Sequence, residues 1–152
     1  MLVKLSKQTV NEYVKDDPVR PHIPGDWRVE NGREVYALYE DQYAEHAPVD
    51  FEGPRAIICV AYTNGVAWNE DYMDKQYENP NTAMFYTVWS YDRGAGREIV
   101  LQVANHIKST REDIHRYVTL SPLTEMAERF HLRNGAQFLE RYDECQNFEY
   151  ML

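Results

Sequence analysis

A chain of 152 residues, 43% hydrophobic and 27% charged, is long enough to bury one core and too apolar for wholesale disorder. Its formal net charge of -9 argues against duplex nucleic acid as a partner, because such binding rests on clustered Lys and Arg neutralising phosphates. An anionic ligand stays compatible, provided that local arginines and backbone N–H groups hold it.

In chain order, Ser6 is placed to cap a helix carrying Val10, Tyr13 and Val14, which Asp16-Asp17-Pro18 ends. Pro18 to Asp26 holds three prolines and a glycine and reads as a loop. Glu34 to Glu40 reads as a strand. The acidic run from Glu40 to Glu52 reads as a solvated loop able to cover a pocket, turning at Gly53-Pro54. Arg55 to Thr63 is a β-branched and aromatic strand that Asn64-Gly65 closes, and residues 66–79 suggest a short irregular helix. Trp68 and Trp89 read as core or cleft wall.

Thr82 to Tyr91 is the strongest strand, central by composition, and passes at once into Asp92-Arg93-Gly94-Ala95-Gly96. A helix follows, with Ile99, Val100, Val103, Ala104 and Ile107 at helical spacing and Lys108 in its last turn. Arg116 to Leu120 is a further strand. Ser121-Pro122 reads as an N-cap with proline at the first helical position, and the helix runs through Met126, Ala127 and Phe130 to Asn134, where Gly135 stops it. Gln137 to Tyr142 and Asn147 to Met151 pair as a closing hairpin. The order predicts an α+β fold, one mixed central sheet flanked by helices, in a single domain spanning 1–152.

Cys59 lies in an apolar run and Cys145 in a polar one, with no metal-ligand spacing, so a reducing compartment and no metal are expected. No apolar leader or membrane-length apolar run occurs, which predicts a cytoplasmic chain without a membrane partner. The sequence leaves the oligomeric state open.

The chemistry concentrates after the strongest strand. A strand that turns through glycines into a helix lets backbone N–H groups and the positive end of the helix dipole meet an anion. Arg93, Gly94, Ala95, Gly96 and Arg97 add two guanidinium groups to such a turn. No Gly-Lys-Ser/Thr follows and no full dinucleotide fingerprint is present, so a P-loop and a dinucleotide site are both excluded. Taken alone, the G-x-G signal also fits a plain tight turn.

The strand–RGAG–helix unit, with Ala127, Phe130, His131, Gly135 and Ala136 on the later helix, resembles the GNAT superfamily of N-acetyltransferase-like proteins. Three further blocks, Asn81-Thr82-Ala83-Met84-Phe85-Tyr86, Thr119-Leu120-Ser121-Pro122 and Phe130-His131-Leu132-Arg133-Asn134-Gly135-Ala136, resemble malonyl-CoA decarboxylases, whose catalytic domain has the GNAT fold. That resemblance runs from about Arg55 to about Phe138. It implies Ser121 and His131 as the catalytic pair, and a coenzyme A thioester, or its acyl-carrier-protein counterpart, as the ligand. It places the pyrophosphate on Arg93 to Arg97. Backbone N–H groups of Thr87, Val88 and Trp89 would then stabilise the oxyanion.

The chain departs from the decarboxylases in the short interval from Ser121 to His131 and in Tyr91 before the glycine turn, and their helical amino-terminal domain is not expected here. Acetyl transfer from acetyl-CoA to an amine, and a non-catalytic CoA-binding or interaction module, are the alternative readings.

Overall fold

The computed structural model describes residues 1–40 and 53–152. The acidic loop expected between Glu40 and Glu52 therefore lies almost wholly outside the described residues. The strands are β1 (Leu2–Lys4), β2 (Glu34–Leu38), β3 (Ala56–Thr63), β4 (Thr82–Ser90), β5 (Arg116–Thr119), β6 (Gln137–Arg141) and β7 (Gln146–Tyr150). The helices are α1 (Lys7–Tyr13), α2 (Gly25–Val29), α3 (Ala95–Thr110) and α4 (Glu125–Arg133). Single 3₁₀ turns occupy Val14–Asp16 and Asp71–Met73.

The strands form one mixed sheet in the order β1-β2-β3-β4-β5-β7-β6. Every pairing is antiparallel except β4 with β5, so the strand read as central is central and carries the sheet's single parallel contact. Period-two alternation sends the two faces to two cores. Tyr36, Leu38, Ile58, Val60 and Phe85 meet the apolar stripe of α3, namely Ile99, Val100, Val103, Ala104 and Ile107. Val35, Ala37, Ile57, Cys59, Ala61 and Met84 meet Leu5, Val10 and Met73 on the face of α1 and α2. Each fully buried aliphatic side chain of this kind stabilises the fold by about 1.5–3 kcal/mol relative to exposure.

The sequence assigns no element to Leu2–Lys4, and two expectations need correction. Leu2–Lys4 is a strand, because its backbone pairs with β2 along the register Leu2↔Leu38 to Lys4↔Tyr36. The loop of 18–26 ends in α2, a short helix whose Arg28 is fully buried. The short irregular helix expected within 66–79 is the 3₁₀ turn at Asp71–Met73. Trp68 is 51% exposed and belongs to neither core.

The largest correction concerns Ser121, which is not a helix cap. Its N–H donates to the Gln146 carbonyl and its carbonyl accepts from the Gln146 N–H, so its backbone is held by an antiparallel bridge. Thr124 caps α4 instead, its Oγ1 accepting from the Ala127 N–H at 3.2 Å. The Pro122 carbonyl accepts from the Thr124 N–H and from Gln146 Nε2, which fixes Pro122 outside the helix. Gly135, at φ +95°, stops α4 as the sequence requires.

Candidate functional site

Two irregularities open the sheet at its centre. The register of β3 on β4 shifts by one residue, Cys59 facing Thr87 and Val60 facing Phe85, so Tyr86 is the extra residue of a β-bulge. On the other edge of β4, pairing with β5 ends at Phe85↔Thr119, with a last bond from the Leu120 N–H to the Phe85 carbonyl. From Tyr86 to Ser90, β4 therefore runs on with no strand on its β5 side among the described residues. Arg20 fills the parting: Nη1 donates to the Tyr86 carbonyl and Nη2 to the Leu120 carbonyl at 3.0 Å.

A cleft of about 880 Å³ occupies this opening. Thr87, Val88 and Trp89 of β4, Gly96 of α3, and both Ser121 and His131 line it, so six of the ten residues singled out in the sequence share one wall system. Arg93, Gly94, Ala95 and Arg97 do not line it; they form the turn and first helical residues beside Gly96. Gly94 caps α3 at φ +83°, a conformation that suits only glycine without strain. Arg93 and Arg97 are exposed and make no ion pair among the described residues. Gly96 is buried, and a Cβ there would touch the Phe130 ring at 3.4 Å.

His131 is 6% exposed, its ring stacked on Phe148 and edge-on to Phe130 and Tyr150. Nδ1 lies 2.7 Å from Tyr150 Oη. Burial pushes its pKa down to about 4, so the imidazole is neutral near pH 7. Burial likewise pushes the Tyr150 hydroxyl up to about 12, which keeps it protonated; the neighbouring Asn134 amide and Arg97 oppose that rise. Asn134 Nδ2 is buried beside this hydroxyl without closing a hydrogen bond. Tyr150 is the residue the sequence reading missed. Nothing in the closing strand's pattern marks it, and only the β7–β5 pairing brings it to α4.

The neutral burial of His131 has a consequence for stability. Its folded pKa lies below the unfolded value of 6.5, so the unfolded chain binds more protons between the two. The stability this contributes is present above pH 6.5 and is lost as pH falls through about 4. Complete loss amounts to about 3 kcal/mol at most. Denaturant melts at pH 7 and pH 4 should show His131→Gln with a smaller acid destabilisation than wild type; equal losses would contradict a buried neutral imidazole.

Ser121 is 3% exposed, its Oγ 2.7 Å from Thr119 Oγ1, which in turn accepts from the Phe148 N–H at 3.1 Å. With the Phe148 N–H already donated to it, the Thr119 hydroxyl can give its own proton to Ser121. In that arrangement the Ser121 O–H is free to donate into the cleft.

No protein-family model and no curated protein sequence matches the chain. Solved structures do. A malonyl-CoA decarboxylase from Rhodopseudomonas palustris is similar over 100% of this chain and 60% of its own, at 16% identity and a TM-score of 0.70. One from Agrobacterium vitis is similar over 86% of this chain and 35% of its own, at 18% identity and a TM-score of 0.64. A Bacillus subtilis acetyltransferase in complex with CoA is similar over 98% of this chain and 93% of its own, at 11% identity and a TM-score of 0.59. The chain thus spans between about a third and three fifths of those decarboxylases. At these identities the likeness is one of fold, and the fold is that of the GNAT proteins.

Proposed function

We propose that the cleft binds an acyl thioester of coenzyme A, or of an acyl carrier protein, and releases carbon dioxide from a malonyl group held there. The observation that carries this reading is His131, a buried neutral imidazole on the cleft wall, tied through Nδ1 to a protonated Tyr150. The pyrophosphate would sit at the start of α3, where the first helical N–H groups lack intrahelical acceptors and Arg93 and Arg97 supply charge. The pantetheine arm would pass Gly96 into the parting of β4 and β5.

The reaction needs the thioester to accept the electron pair of the breaking carbon–carbon bond, which yields carbon dioxide and an enolate. The backbone N–H of Val88, on the edge of β4 that β5 leaves, would stabilise the enolate oxygen, while those of Thr87 and Trp89 face β3 in the ladder. Ser121 Oγ would hold the carboxylate or the carbonyl so that the breaking bond stands out of the carbonyl plane. Carbon is then protonated. With Tyr150 donating to Nδ1, His131 carries its proton on Nε2. As Nε2–H is transferred to carbon, the Tyr150 proton moves to Nδ1; water entering the cleft then reprotonates Nε2 as the Nδ1 proton returns to Tyr150, which restores the starting state. No imidazolium forms, in keeping with a pKa of about 4.

Acetyl transfer to an amine finds less support. Among the described residues the carboxylate lining the cleft is Asp16, and its Oδ2 accepts from Tyr91 Oη at 2.7 Å, which weakens it as a base for an incoming amine.

Two experiments test binding and chemistry separately. CoA or acetyl-CoA at millimolar concentration should raise the melting temperature of wild type by ligand linkage. Gly96→Phe, which drives a ring towards Phe130 and the cleft, should fold and lose that rise; no response in wild type would end the thioester reading. Ser121→Ala should cost about 0.5–1.5 kcal/mol of stability, since Thr119 keeps its bond from Phe148. It should nevertheless slow malonyl-CoA turnover at least about tenfold, or about 1.4 kcal/mol in barrier. Unchanged turnover would reduce Ser121 to a bridge residue.

A further inference from the structure

We propose that Arg20 is a specificity-determining residue of this cleft: its buried guanidinium, set where β4 and β5 part, selects an acyl group that carries a free carboxylate. The inference rests on the acyl-thioester reading and adds to it the residue that chooses among thioesters.

Arg20 is 5% exposed, and its donors reach the cleft wall from behind. Besides the carbonyls of Tyr86 and Leu120, Nη1 lies 3.4 Å from Thr87 Oγ1, and Nε donates to Glu70 Oε1 at 3.0 Å. Tyr86, Thr87 and Leu120 all line the cleft, as does Val19, the residue before Arg20. Four of the five guanidinium N–H groups are thus engaged, and one Nη2–H is left.

The charge around Arg20 is out of balance. Among the described residues the buried Arg, Lys, Asp and Glu side chains are Arg20, Arg28, Arg33 and Asp17, three cations to one anion. Asp17 is spent: Oδ2 holds Arg28 Nη1 at 2.7 Å, and Oδ1 accepts the N–H groups of Val19 and Arg20. Arg33 makes no ion pair among the described residues, resting instead on the carbonyls of Trp27 and Met73 and over the Trp27 ring. The carboxylate that meets Arg20, Glu70, is 42% exposed and also faces His22. Tyr86, on the cleft wall, registers this surplus, since Arg28 and Arg33 both oppose the upward push of burial on its hydroxyl. A chain of net charge -9 therefore keeps buried positive charge behind this wall, while the described carboxylate that lines the cleft, Asp16, is exposed and accepts from Tyr91 Oη.

Such a field favours a carboxylate in the cleft and does nothing for a neutral acetyl group. It does not oppose decarboxylation, because the same single negative charge passes from carboxylate to enolate oxygen as carbon dioxide leaves. Selectivity then comes without hindering the bond that must break.

Calorimetric titration with malonyl-CoA and acetyl-CoA tests this, both in the His131→Gln background so that the malonyl group persists. Malonyl-CoA should bind about tenfold tighter than acetyl-CoA, the scale of one partly screened charge interaction. Arg20→Met should remove that preference by weakening malonyl-CoA about tenfold, with acetyl-CoA changed by less than about twofold. Should the Met variant fail to fold, Glu70→Gln, at the surface, decides: loss of the competing carboxylate should tighten malonyl-CoA and leave acetyl-CoA unchanged. Equal affinity for the two thioesters overturns the role of Arg20 and leaves the thioester reading standing. So does an equal change in both affinities with either variant, or malonyl-CoA unmoved by Glu70→Gln. Failure of both thioesters to bind overturns the two together.

Discussion

His131→Ala should slow release of carbon dioxide from malonyl-CoA by roughly 10² to 10⁴, the usual contribution of a positioned proton donor. The cause lies in the hydrogen bond that the proposal has Tyr150 donate to Nδ1 and in the burial that keeps the ring neutral. Removal of the ring removes the Nε2 proton and leaves the Tyr150 hydroxyl without the acceptor it serves. His131→Gln restores a polar side chain but no relay, so it should bind the thioester and still turn over poorly. Tyr150→Phe should fall between, since the imidazole stays while its source of a second proton is lost. Steady-state kinetics on folded variants checks all three. If His131→Ala keeps wild-type turnover, the imidazole is a core residue only.

The largest stability effect should come from Asp17→Ala. Asp17 and Arg28 side chains are both 0% exposed and meet at 2.7 Å, with Arg28 Nη2 also on the carbonyls of Arg20 and Ile23. Loss of the carboxylate leaves a buried guanidinium uncompensated, which costs about 3–5 kcal/mol. Arg28 also donates to Cys59 Sγ, and burial pushes that thiol up to about 11, so the thiol offers no replacement anion. Asp17 also anchors the turn that delivers Arg20 to the cleft, through the N–H groups of Val19 and Arg20. Urea unfolding should show the loss at pH 7, and a change under about 1 kcal/mol would mean that the pair contributes little net stability.

Much of the fold was legible because its elements carry strong local patterns. The β-branched run of β3, the apolar run of β4 and the stripe of α3 each specify one conformation, and Gly94 and Gly135 mark turns that need positive φ. What escaped depends on partners distant in sequence. Leu2–Lys4 becomes a strand only because β2 lies open beside it. Ser121 before Pro122 reads locally as a cap, yet Gln146, far along the chain, captures its backbone first. The cleft residues His131, Ser121 and Gly96 could be named from motifs. Tyr150 and Arg20 could not, since one acts through strand pairing and the other through two carbonyls that no sequence pattern records.

Malonyl-CoA incubated with wild-type protein in heavy water, with no amine present, tests the central claim most directly. The account predicts carbon dioxide and acetyl-CoA bearing deuterium at C2, read by mass spectrometry, with the same outcome sought on a malonyl carrier protein if CoA is not the carrier. Intact malonyl thioester on both carriers after prolonged incubation with folded protein would contradict it, as would consumption of acetyl-CoA only when an amine is supplied.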